Sequence, residues 1–147
     1  MQPFPHRYTT IAQSSEQSSV VLNSPGLPTL TSAPPAEFDG PGNQWSPETF
    51  LVGAVCDCFI LTFRAIASAS KLPWTSIVCE GVGIVERAEG LTRFTGIDLS
   101  CRLEIPNAAD TDKATRLLEK AEKSCLVSNS LKFAPKLRAE VALKQAA

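Results

Sequence analysis

Between Arg93 and Ile105 apolar and polar residues take turns. Thr95, Ile97, Leu99, Cys101, Leu103 and Ile105 alternate with Phe94, Gly96, Asp98, Ser100, Arg102 and Glu104. Side chains of a strand point alternately to its two faces, so this spacing predicts a half-buried strand whose core face is defined. Trp74 to Arg87 reads as its partner, with Ala88-Glu89-Gly90 as the turn between them. A final alternation, Leu137, Ala139, Val141 and Leu143 against Lys136, Arg138, Glu140 and Lys144, predicts one more strand. Near the start, β-branched residues flank the polar cluster Gln13–Ser18, which suggests two short antiparallel strands within Arg7–Leu22. Prolines and glycines recur from Asn23 to Asn43, so a strand there, most plausibly Leu27–Ser32, must be short or at an edge.

Two segments carry helical spacing instead. Ser46-Pro47-Glu48 is a helix start: a side-chain acceptor, a ring with no N–H to waste, and an acid at the positive end of the dipole. The helix should run to about Lys71, ahead of Pro73, and its residues are apolar on nearly all sides up to Arg64, which predicts a long buried helix. Asp110-Thr111-Asp112 opens a second helix whose stripe Ala114, Leu117, Leu118, Ala121 and Cys125 turns inward. The order of elements implies an α+β fold with a largely antiparallel sheet, built as a single domain over residues 1–147, with about residues 1–6 outside its order.

Composition narrows the possibilities. The chain has 147 residues, of which 44% are hydrophobic, and a formal net charge of -1. That is enough apolar material for one core and too little positive charge for a nucleic-acid binder. The longest apolar run, Phe50–Phe63, is broken by Asp57 and is too short to cross a bilayer, so no membrane span is expected. Five cysteines, an odd number, with no secretory-type leader ahead of them, imply free thiols in a reducing cytoplasm.

Little catalytic material exists besides those thiols. His6 is the one histidine and reads as a solvated terminal residue. Cys56-Asp57-Cys58 lacks metal-ligand spacing, and on a helix its two thiols point apart; no metal site is expected. Gly81-Val82-Gly83 has no phosphate-loop continuation and reads as a strand kink or bulge. Periodicity places Cys58 and Cys125 toward the core, and Cys101 on the core face of its strand. Cys79 lies on a less regular strand. Cys56 faces away from Cys58, alongside Val52, Phe59, Ile60 and Phe63. From periodicity alone, all five could be small buried hydrophobes.

The stretch GPGNQWSPETFLVGAVCDCFILTFRA, followed some sixty residues later by KSCLVSNSL, resembles the two cysteine-bearing motifs of the OsmC/Ohr family, the osmotically inducible and organic hydroperoxide resistance proteins. The resemblance extends from about Arg7 to Leu143. It implies an intertwined homodimer that reduces organic hydroperoxides with thiols, with Cys58 as peroxidatic cysteine, Cys125 as resolving cysteine and Glu48 as a supporting acid. It implies no resident cofactor; an external dithiol or lipoyl-type compound would be the reductant. Ten residues of helix separate Glu48 from Cys58, about 15 Å of rise, so Glu48 would serve the thiol across a two-fold interface. The family's arginine in the N-terminal strand region has no counterpart in Gln13–Asn23, and Leu126 stands where proline is frequent. Two alternatives accompany this reading: a non-catalytic dimer of the same fold binding a small apolar ligand in its interface cavity, and a thiol enzyme acting on another electrophile.

Overall fold

The structure is a computed structural model that describes residues 2–145. The chain divides into two compact units, Met1–Phe50 and Leu51–Ala147. In the first, strands β1 (Ile11–Gln13), β2 (Val20–Asn23) and β3 (Leu30–Ser32) form an antiparallel sheet in chain order. Its first two strands flank the polar cluster as predicted, and the third falls inside the proline-rich segment as a short piece. No helix or strand lies within residues 2–10; an expectation that reaches residue 1 lies outside the described residues.

Helix α1 (Pro47–Ala69) begins at the end of this unit. Its start is fixed twice over. The Thr49 N–H donates to Ser46 Oγ at 3.2 Å and the Ser46 N–H donates to Thr49 Oγ1 at 2.8 Å, a reciprocal cap that satisfies an orphan donor at the helix start. Trp45 stacks on Phe50 with ring centroids 5.5 Å apart, stapling the residue before the cap to the first turn. At the other end Lys71 takes a left-handed φ of 52° and the helix stops short of Pro73, as its sequence requires.

The second unit is built on a sheet of order β4-β5-β6, from β4 (Ser76–Ala88), β5 (Leu91–Ile105) and β6 (Lys136–Leu143). Glu89 and Gly90, with φ of 53° and 80°, make the two-residue turn between β4 and β5, and the double positive φ suits the twist of an antiparallel pair. Helix α2 (Thr111–Ser124) then crosses over, so β6 pairs parallel to β5. That is one parallel ladder in a sheet expected to be largely antiparallel. Its cause is topological, since a helix between two neighbouring strands returns the chain in the same direction.

Ile97, Leu99, Cys101, Leu103 and Ile105 form the buried face of β5, as the alternation requires. Phe59, Phe63 and Ala67 of α1 and Ala114, Leu118 and Ala121 of α2 share one core with the Cys101–Ile105 end of that face, while Val55 packs with Ile97 and Leu99. The expectation of a helix buried on all sides needs correction. Only the stripe Val55, Phe59, Phe63 and Ala67 is buried in α1, and Leu61 is half exposed. A single sheet face and one neighbouring helix cannot cover a whole cylinder. With 23 residues and a mean hydropathy of 1.9 in its most apolar window, α1 meets the length and composition of a membrane span, yet its stripe packs into the core of a sheet.

Gly81 and Gly83 are also reassigned. Both pair regularly with β5, and the register shift comes one residue later, between Ile84 and Val85. Their function is close approach: a Cβ on Gly81 would lie 2.6 Å from Cys56 Sγ and 2.8 Å from Val52 Cγ1, and one on Gly83 would lie 2.6 Å from Val52 Cγ2. Helix α1 therefore sits against bare backbone of β4.

Candidate thiol site

Cys58 lies beside the buried stripe of α1 and is half-buried. Cys125 is the residue on which α2 ends, and it is fully buried. Its N–H donates to Glu122 O at 3.2 Å, after which the chain winds into the short helical turn Ser128–Ser130. Two bonds hold that turn on the helix end. Asn129 N–H donates to Cys125 O at 3.0 Å, and Asn129 Nδ2 donates to Lys123 O at 3.2 Å. The motif SCLVSNS thus folds as a C-terminal cap whose backbone faces Cys58.

The structure brings Cys58 and Cys125 close enough for each thiol to shift the ionisation of the other. Burial pushes the Cys58 thiol up. Hydrogen bonds from the Val127 backbone, the Cys125 thiol, the Thr62 hydroxyl and the Leu126 backbone more than offset this, and the net direction is below the ordinary thiol value. Thr62 Oγ1 lies 4.0 Å from Cys58 Sγ, one turn along the helix. The Cys125 thiol is pushed up, first by burial and further by the neighbouring Cys58; donors from Ser128 only partly compensate. Ser128 Oγ is buried with no partner other than Cys125, so a negative charge on Cys125 would find a hydroxyl waiting. The two thiols are therefore unequal: one is set up to lose its proton and the other to keep it.

A cleft of about 550 Å³ opens at Cys58, lined by apolar Ala54, Leu61, Ala65, Ile66 and Val127 and by polar Asp57, Thr62, Lys120 and Ser124. The volume is in the range of small-molecule sites. Glu48 does not line it. That residue is in the first turn of α1, and its Oε2 is buried without a hydrogen-bond partner.

Sequence reasoning identified the two cysteines and missed what surrounds them. Thr62 could have been found from its spacing of four after Cys58, because such residues are neighbours on a helix face. The backbone donors at Leu126 and Val127 have no signature in residue type. His6 is exposed and stacks on Phe4, as expected of a terminal residue. The described residues contain no cluster of three or more metal-ligating side chains.

Comparison with known proteins supplies the wider frame. Residues 40–140 match the family model described as OsmC-like protein. An uncharacterized protein of Bacillus subtilis (strain 168), YmaD, is 31% identical over 113 residues, which cover 75% of each chain. An OsmC-like protein of unknown function from Vibrio cholerae superposes with a TM-score of 0.80 at 17% identity, over 94% of this chain and 100% of that one. An organic hydroperoxide resistance protein, OsmC, from Legionella pneumophila gives a TM-score of 0.75 at 20% identity, over 95% of this chain and 99% of that one.

Proposed function

The chain belongs to the OsmC-like protein family, and from that premise we propose that it is a thiol-dependent peroxidase that reduces organic hydroperoxides. One observation carries the reading: two thiols from distant parts of the chain lie close together, Cys58 lining a largely apolar cleft and lowered in pKa by hydrogen-bond donors, Cys125 buried behind it and raised. The Cys58 thiolate attacks the distal oxygen of the peroxide and the O–O bond breaks. The alkoxide leaves and is protonated to an alcohol, while Cys58 becomes a sulfenic acid. Cys125 then attacks that sulfur, water leaves with the Cys125 proton, and a disulfide remains for an external dithiol to reduce. The carbon side chains of the cleft accommodate the alkyl part of the substrate. The donors at Cys58 take over the work that a cation would do.

The protein acts as a cytoplasmic homodimer without a resident cofactor, the uncovered faces of α1 meeting a second copy and Glu48 reaching a site across that interface. The test is turnover of cumene hydroperoxide with a dithiol, together with mass spectrometry of the oxidised protein. A Cys58–Cys125 disulfide is expected, and Cys58→Ser should abolish turnover. Both thiols remaining reduced in excess hydroperoxide would favour a binding protein whose apolar cleft holds a small ligand.

A further inference from the structure

Three of the five cysteines take no part in this scheme, and they are not scattered. Cys79 and Cys101 are directly opposed on β4 and β5 and face the core. Cys56 approaches the same face from α1, with its sulfur lying over the bare backbone of Gly81, two residues along from Cys79. Cys56 and Cys79 both pack against the buried group Val55, Ile97 and Leu99. The glycines that let α1 sit so close to β4 thus set two thiols against each other.

We propose that Cys56 and Cys79 form a second oxidisable dithiol, separate from Cys58 and Cys125, whose disulfide fastens helix α1 to strand β4. The partners are chemically unequal in the required sense. A hydrogen bond from Cys79 outweighs burial and lowers the Cys56 thiol to about 7, so much of it is thiolate at neutral pH. Cys79 is pushed up, chiefly because its proton is held by Cys56 and secondarily by burial. Cys101 is buried and pushed up to about 11 by desolvation, so it remains a thiol.

The oxidant is a hydroperoxide, the one element taken from the proposed function. The Cys56 thiolate attacks the distal oxygen, the O–O bond breaks, and the departing alkoxide takes a proton from water to become an alcohol. Cys56 is left as a sulfenic acid and no longer holds the Cys79 proton as an anion. Cys79 is thereby freed to ionise. Its sulfur attacks Cys56, the S–S bond forms, the S–O bond breaks, and the hydroxide leaves as water with the Cys79 proton. One hydroperoxide and two thiols give one alcohol, one water and one disulfide.

The experiment uses the full chain carrying Cys58→Ser and Cys125→Ser, so that failure of the peroxidase reading cannot mask or mimic the result. Three of the five cysteines remain. After cumene hydroperoxide or hydrogen peroxide, the count of free thiols should fall from three to one, and a non-reducing tryptic map should link residues 8–64 to residues 72–87. An unchanged thiol count, a link from residues 94–102, which carry Cys101, or a sulfinate on Cys56 with Cys79 still reduced would each overturn the proposal. If the double variant does not fold, fragment sequencing of the same linked peptides from the unmutated protein separates Cys56 from Cys58 and reads the same outcome.

Discussion

At the scale of the residue, the acidity of Cys58 is a matter of hydrogen bonds rather than of a nearby cation. Two substitutions separate these causes. Thr62→Val removes a hydroxyl donor and should slow alkylation of Cys58 at neutral pH about threefold, the effect of about 0.7 kcal/mol. Lys120→Met removes a charge from the cleft and should leave the pH midpoint of alkylation where it is. Iodoacetamide rates against pH, read by peptide mass spectrometry, give both numbers. Because the folded pKa of Cys58 lies below its ordinary 9.0, peroxidase activity should rise with pH through that lower midpoint and level off before 9.0. The cysteines themselves were legible in the sequence because their flanking motifs are distinctive. The donors were not, since Leu126 and Val127 act through backbone N–H groups that any residue would supply.

At the scale of the element, the strands and helices followed from periodicity, and the discrepancies arose where one element meets another. Gly81 and Gly83 read as a kink or bulge in β4, but the feature that requires them is Val52 and Cys56 on a helix 25 to 31 residues earlier. Gly81→Ala should therefore destabilise the fold by about 1–3 kcal/mol, since the added methyl overlaps atoms of both half-buried neighbours. Chemical denaturation would measure it, and an unchanged midpoint would show that α1 can retreat at no cost. Ser46→Ala removes the side-chain acceptor of the reciprocal cap while its backbone N–H still donates to Thr49, and should cost about 1 kcal/mol by the same measurement. The parallel pairing of β6 was likewise hidden. Alternation defines which face of a strand is buried but not the direction in which it runs.

At the scale of the whole molecule, the proposal that the sides of α1 outside its buried stripe meet a second copy is open to direct test. Sedimentation at micromolar concentration should give twice the mass of the chain, and Leu61→Glu should shift the population toward monomer, because it places a charge on an exposed apolar helix face. Alkaline stability is a separate expectation. Burial raises Cys101 from 9.0 to about 11 and raises Cys125 as well, so the unfolded chain gives up these protons first. The contribution of these two thiols is then full below 9.0 and falls as pH rises toward 11. Thermal melts across that interval should show the decline, and Cys101→Ala should flatten it. The helix has one further consequence, for synthesis. Phe59 leaves the ribosome roughly forty residues before Leu103, the strand residue that will cover its core; at typical elongation rates that is several seconds. For that interval the nascent chain displays its greasiest segment naked, with nothing of its own yet made to cover it.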